Sequence, residues 1–199
     1  MQLTRYTHSC VRLELDGRVL VIDPGIWSEP RALRGADAVL VTHEHVDHAD
    51  VLRLRGLGVP VHAPAGADLP GLPFEGVRPG QLLTAAGFRV RAVGGRHAEV
   101  MPGQAVCANL GYLVEDALYH PGDALHVPAQ AVETLLVPLQ ASWLKTAEAV
   151  AFARTVGPER AFGIHDGQLN ERGLAGVNGW LEEESGTDYR WLPPGATAH

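Results

Sequence analysis

Between positions 43 and 48 the chain reads His-Glu-His-Val-Asp-His, which places three imidazoles and the Asp47 carboxylate directly behind the apolar run Ala38-Val39-Leu40-Val41. Imidazole nitrogens and carboxylate oxygens are ligands for borderline-hard divalent cations, and a turn leaving a buried strand can hold several of them rigidly. The cluster is not the helical zinc-protease motif, because Asp47 stands where that motif needs its second histidine. His43 and His45 are two residues apart, so an extended backbone sends both rings to one side, while Asp47 and His48 continue around a turn and diverge from them. Four such groups do not serve one ion comfortably. The divergence favours two neighbouring metals with a bridging ligand, and the remaining ligands must come from elsewhere in the chain.

The elements that would position this cluster can be read from hydrophobic period and turn chemistry. Val11 to Leu15 alternates, Asp16-Gly17 is a hairpin turn and Arg18 to Ile22 returns, stopped by Asp23-Pro24-Gly25. Ala38 to Thr42 is short and continuously apolar, as expected of a strand buried on both faces, with a short helix from Ala49 to about Arg55 after the cluster. Val59 to Ala63 reads as a strand, and the prolines at 64, 70, 73 and 79 predict a long irregular connection. Phe88 to Val93 alternates and exits at Gly94-Gly95-Arg96-His97, so a second histidine sits at a strand end. Asn109 to Glu115 and Ala117 to His120 predict a hairpin that closes in Pro121-Gly122-Asp123, and Thr134 to Val137 a further buried strand. Thr146 to Val156 has helical spacing with a Gly157-Pro158 stop, Arg160 to Ile164 leads into His165-Asp166-Gly167, a helix runs from about Leu169 to Glu184, and Tyr189 to Leu192 is a last strand. Strand pairs come first in each half and helices later, so the expectation is two mixed sheets facing each other with helices outside. No composition shift divides the chain, and residues 1–199 are expected to form one domain.

Composition limits the partners. A formal net charge of -7 with no basic stripe disfavours long nucleic acid, whose non-specific affinity comes from clustered Lys and Arg. No run of eighteen apolar residues spans a bilayer and the first residues lack a basic, apolar leader, which makes a cytoplasmic location the default. Cys10 and Cys107 lie in apolar, strand-like segments without a CxxC partner and are expected to be buried reduced thiols. The sequence leaves the oligomeric state open.

On these residues a family resemblance rests. The His43-to-His48 run resembles the HxHxDH motif of the metallo-β-lactamase superfamily. Gly94-Gly95-Arg96-His97 resembles the third histidine of its first metal site, Gly122-Asp123 its bridging aspartate, and Gly163-Ile164-His165 the last histidine of its second site. His8-Ser9-Cys10 with Ile22-Asp23-Pro24 is similar to the branch of ascorbate-6-phosphate lactonase-like and UPF0173-type hydrolases. The resemblance implies a four-layer αββα sandwich, with His43, His45 and His97 on one metal, Asp47, His48 and His165 on a second, and Asp123 between them. His120 competes with Asp123 for a place on the metal, but a bridge needs a short carboxylate with two oxygens.

The implied chemistry is metal-dependent hydrolysis of a small ester, lactone, amide or phosphoester by a metal-bridging hydroxide, with Asp47 and Asp123 catalytic and two divalent ions as cofactors, zinc first and manganese, iron or nickel also fitting. Phosphodiesterase or nuclease action, and iron-dependent oxidation of the persulfide dioxygenase kind, are the alternatives on the same fold. His8, Asp23, Arg96, Trp143, Lys145 and Asp166 are candidates for substrate contact or for orienting the ligands. His62, His126 and His199 are assigned no chemistry.

Overall fold

The computed structural model describes residues 1–199. Its first sheet contains β1 (Gln2–Arg5), β2 (Val11–Leu15), β3 (Arg18–Ile22), β4 (Ala38–Leu40), β5 (Val61–Pro64) and β6 (Glu75–Val77). Its second contains β7 (Leu82–Ala85), β8 (Phe88–Gly94), β9 (Leu110–Val114), β10 (Leu118–His120), β11 (Thr134–Pro138), β12 (Arg160–Ile164) and β13 (Asp188–Arg190), after which β14 (Thr197–Ala198) returns to pair with β1. Each sheet is antiparallel on one side and parallel on the other: β1 to β3 alternate direction and β3 to β6 run parallel, while β7 to β10 alternate and β10 to β13 run parallel. The two halves of the chain therefore build one mixed sheet each.

Residue alternation explains why the sheets stack. In β3 and β4, Leu20, Ile22, Ala38 and Leu40 face the second sheet and meet Phe88, Val90, Tyr112, Leu136, Phe162 and Ile164. Their neighbours Val19, Val21 and Val39 turn outward onto Leu33 and Leu54. Leu135, Val137 and Ala161 likewise turn outward under α2 (Thr146–Val156) and α3 (Glu171–Glu184). A strand buried on both faces must be apolar at every position, which is why the β4 and β11 segments read as unbroken hydrophobic runs. Three apolar layers separate four layers of structure, and the αββα sandwich implied by the sequence is what forms. No helix is long and apolar enough to cross a membrane.

Several boundaries differ from the sequence reading. The chain opens with β1, which the sequence reading did not identify, and the proline-rich stretch after β5 contains the short strand β6 before the β7–β8 hairpin. The helix α1 after the cluster is only Val51–Arg55, because Asp50 caps it by accepting from the Arg53 N–H. Asn170 caps α3 the same way, which starts it at Glu171 rather than Leu169. The last predicted strand shifts to Asp188–Arg190, in register with β12. β4 ends at Leu40, although the Val41 N–H still bonds the His62 carbonyl.

Cys10 is fully buried as expected, whereas Cys107 is not in a strand but half-buried in the irregular stretch before β9. Both thiols are reduced.

Leu136 is fully buried between the sheets, so Leu136→Ala is expected to destabilise the fold by about 2–5 kcal/mol in denaturant unfolding. Leu52→Ala, on the solvent face of α1 at 80% exposure, is expected to change stability by less than about 0.5 kcal/mol.

Candidate metal centre

The candidate ligands converge at one end of the sandwich, where loops leaving strands of both sheets meet. Residues 42–48 follow β4 as a series of bends rather than the extended backbone the spacing suggested, with the His48 and Ala49 N–H groups both bonding the His45 carbonyl. The turn nevertheless brings His43 Nε2 within 3.0 Å of His45 Nδ1. His97 arrives from the exit of β8, Asp123 from the loop after β10 and His165 from the exit of β12. Their polar atoms form three overlapping groups able to hold a cation: His43, His45 and His97; His43, His48 and Asp123; and His8, Asp47, His48 and His165.

One buried carboxylate sets the orientation of the cluster. Asp23, at the end of β3, accepts from the Thr42 N–H at 2.7 Å and the Thr42 hydroxyl at 2.6 Å, and its Oδ2 also accepts from His48 Nδ1 at 2.6 Å. Since the Thr42 hydroxyl hydrogen is committed to Asp23, its oxygen accepts from His43 Nδ1 at 3.0 Å. His97 Nδ1 donates to the Ala98 carbonyl at 2.6 Å, and His165 Nδ1 donates to the Gln140 carbonyl. In His43, His48, His97 and His165 the Nδ1 proton is thereby spent on a fixed acceptor, and each ring presents the Nε2 lone pair to the centre.

The donor set fits a divalent cation. His48 Nε2, His97 Nε2 and Asp123 Oδ1 are buried without a hydrogen-bond partner. His48 Nε2 lies 3.1 Å from Asp123 Oδ1 and His97 Nε2 lies 3.5 Å from Asp123 Oδ2, but neither pair is aligned as a hydrogen bond. Buried polar atoms left unpaired and aimed at one point cost stability unless a charge binds them.

Burial holds the His43 pKa well below the ordinary imidazole value, and His48 beside it pushes the same way; His45 is lowered by burial and by His97. Burial also opposes a charge on His48, yet Asp123 and Asp23 on either side more than offset it and raise its pKa. Asp123, although buried, is held well below the carboxylate range by His48 and His165. Burial would raise Asp47, but the His8 hydrogen bond and His48 bring it down to about 2.

Of the other candidate residues, Trp143 reaches the centre: its indole Nε1–H donates to Asp123 Oδ2 at 3.0 Å, an atom that also lies 3.0 Å from His165 Nε2. Arg96 does not belong to the centre, because its guanidinium is exposed and ion-paired with Glu99. Lys145 is exposed at the start of α2, where its N–H bonds Glu148, and it lines a cleft of about 390 Å³ with Trp143, Glu99 and Val100. Asp166 bonds the His8 backbone and the Trp191 indole and is ion-paired with the buried Arg5, so it touches none of the converging imidazoles. His120 turns away, with Nε2 on the Ser9 carbonyl and Nδ1 accepting from the Gly122 N–H.

Sequence reasoning missed Thr42, whose hydroxyl relays Asp23 to His43, and Cys107, whose Sγ lies 3.9 Å from His45 Nε2. Burial and the nearby Glu44 raise the Cys107 thiol to about 11, so it is a neutral neighbour of that ring. The position of Thr42 between a buried strand and His43 was the available signal; Cys107 gave none.

A model of the beta-lactamase superfamily domain matches residues 2–165. The chain is similar to Protein Rv0786c of Mycobacterium tuberculosis, 40% identical over 97% of both chains. It is also similar to a UPF0173 metal-dependent hydrolase of Methanoregula boonei, 29% identical over 98% of this chain and 96% of the relative. Among solved structures, Igni18, a metallo hydrolase from Ignicoccus hospitalis, superposes with a TM-score of 0.76 at 21% identity, covering 99% of this chain and 97% of that one.

Asp23→Asn replaces the acceptor facing His48 Nδ1 with a group that can carry hydrogens. Metal affinity of the full chain, measured by competition with a chelator, is expected to fall about 10–100-fold.

Proposed function

The chain belongs to the β-lactamase superfamily, and from that premise we propose that it is a two-metal hydrolase acting on a small ester, lactone, amide or phosphoester. The observation that carries this reading is the convergence of the His43, His48, His97 and His165 imidazoles on the buried Asp123 carboxylate, with His45 Nδ1 beside His43 Nε2. His43, His45 and His97 would hold one cation, Asp47, His48 and His165 the other, and Asp123 would lie between them. Bound there, two divalent ions supply an activated water nucleophile at neutral pH and Lewis-acid polarisation of the substrate oxygen. Zinc suits this imidazole-rich set with two carboxylates, and manganese, iron or nickel also fit it.

The protein's own residues divide the remaining work. Asp47 and Asp123 carry the negative charge that two dications require, and both are held ionised. Asp47 is the more solvent-accessible, with 21% side-chain exposure against 6% for Asp123, so Asp47 is the carboxylate placed to pass a proton to water. Trp143 fixes the orientation of Asp123 and also lines the 390 Å³ cleft, which makes that cleft the candidate substrate site. That volume suits a small molecule. The net charge of -7 favours such a substrate over a long nucleic acid.

Elemental analysis of the purified protein is expected to find two divalent metals per chain, with turnover on a panel of esters, lactones, amides and phosphoesters. Asp123→Ala is expected to keep the fold, lose metal and reduce that turnover to background, while His62→Gln leaves metal content unchanged. A fully metallated and fully active Asp123→Ala protein would overturn the reading.

A further inference from the structure

His8 lies beside Asp47, His48 and His165 and could be taken for a further ligand of the second metal. Its hydrogen bonds give it the opposite tautomer. In the four histidines that present Nε2 to the centre, Nδ1 donates to an oxygen. In His8 the Gly167 N–H donates to Nδ1 at 3.2 Å, so Nδ1 carries the lone pair and Nε2 carries the proton, 3.1 Å from Asp47 Oδ2. Ligation through Nε2 would move the proton to Nδ1, where it would face the Gly167 N–H. His120, whose Nδ1 also accepts from a backbone N–H, has the same tautomer and directs its Nε2 to the Ser9 carbonyl.

The ring is held from several directions. The His8 N–H donates to Asp166 Oδ1 at 3.0 Å, and the His8 carbonyl accepts from the His165 N–H at 2.9 Å. The backbone of His8 sits at φ 67°, a left-handed conformation that a side chain adopts only when its surroundings hold it there. Trp27 packs edge-on against the ring, with centroids 4.7 Å apart. A Cβ on Gly167 would lie 3.0 Å from His8 Nδ1 and 2.8 Å from Trp27, so only glycine lets this backbone approach the ring.

We infer that His8 is a positioning residue for the second metal site: its Nε2–H fixes Asp47, and the His165–Gly167 segment fixes His8. This inference rests on the two-metal reading above. It links two ligands of one cation, Asp47 from the first half of the chain and His165 from the second, through a histidine that binds no metal.

The test is titration of cobalt(II) into the metal-stripped full-length protein, following affinity, stoichiometry and the visible absorption of the bound ion. Wild type is expected to take up two equivalents. In His8→Ala the first equivalent is expected to bind as in wild type, which also reports an intact fold, while the second weakens about 10–100-fold. His8→Gln, whose amide N–H can reach the same carboxylate, is expected to recover most of that loss with an unchanged spectrum. Gly167→Ala is expected to behave like His8→Ala. If His8→Gln loses the second ion as fully as His8→Ala and the wild-type second-site spectrum is absent, His8 is a ligand and the inference is wrong. If both His8 variants bind two ions with wild-type affinity, His8 positions nothing. A wild-type protein that binds fewer than two ions instead overturns the two-metal reading, and this inference with it.

Discussion

The metal centre depends on one fully buried carboxylate. Asp23 has no solvent exposure, and a charge in such a place is costly unless its oxygens are filled with donors. Here the donors are the Thr42 N–H, the Thr42 hydroxyl and His48 Nδ1. Any change that frees one of them leaves part of a buried charge uncompensated, so the geometry is enforced by the cost of the alternatives rather than by the strength of one bond. Because Thr42 passes the constraint on to His43, a single group fixes the rings on both sides of the centre.

The two sheets explain how such a group comes to lie there. β3 and β4 run parallel, so the end of β3, which carries Asp23, lies beside the end of β4, which carries Thr42; the Asp23 N–H bonds the Leu40 carbonyl to seal the pair. In the second sheet β11 and β12 are also parallel, and their exits supply the Gln140 carbonyl and His165. The face-to-face packing of Leu40 and Ile22 against Leu136 and Ile164 brings these edges together. Groups that cluster at the ends of parallel strands occupy the place where open α/β sheets commonly bind ligands.

The ligand run from 43 to 48 was legible because its residues are adjacent in the chain and their types have few other reasons to gather. His97, Asp123 and His165 were legible as strand-exit residues, although their assignment needed the family pattern. The orienting shell was harder to read: Asp23 meets His48 across 25 positions, and Gly167 meets His8 across 159. Such pairs leave no local period. The prolines after β5 masked β6, since a three-residue strand is too short to show alternation against its neighbours. Cys107 was misplaced because an apolar setting suits both a buried strand and a half-buried loop, and Arg96 because adjacency to His97 says nothing about where a guanidinium finds its carboxylate.

Backbone strain separates the functional loops from the ordinary turns. Seven residues other than glycine have positive φ; Asp16, Ala86, Glu115 and Asp116 lie in hairpin turns between paired strands. The remaining three are His8, Asp23 and His165, at φ 67°, 52° and 59°. Left-handed conformations at non-glycine residues cost of order 1–3 kcal/mol each and persist only where the surroundings over-determine them. Here the surroundings are visible: Asp23 is held by three donors, while His8 and His165 hold each other through a backbone hydrogen bond. A loop free to relax would leave these conformations and scatter the rings. The chain accepts the strain at the three positions where relaxation would move a side chain of the centre, and it secures each with buried hydrogen bonds.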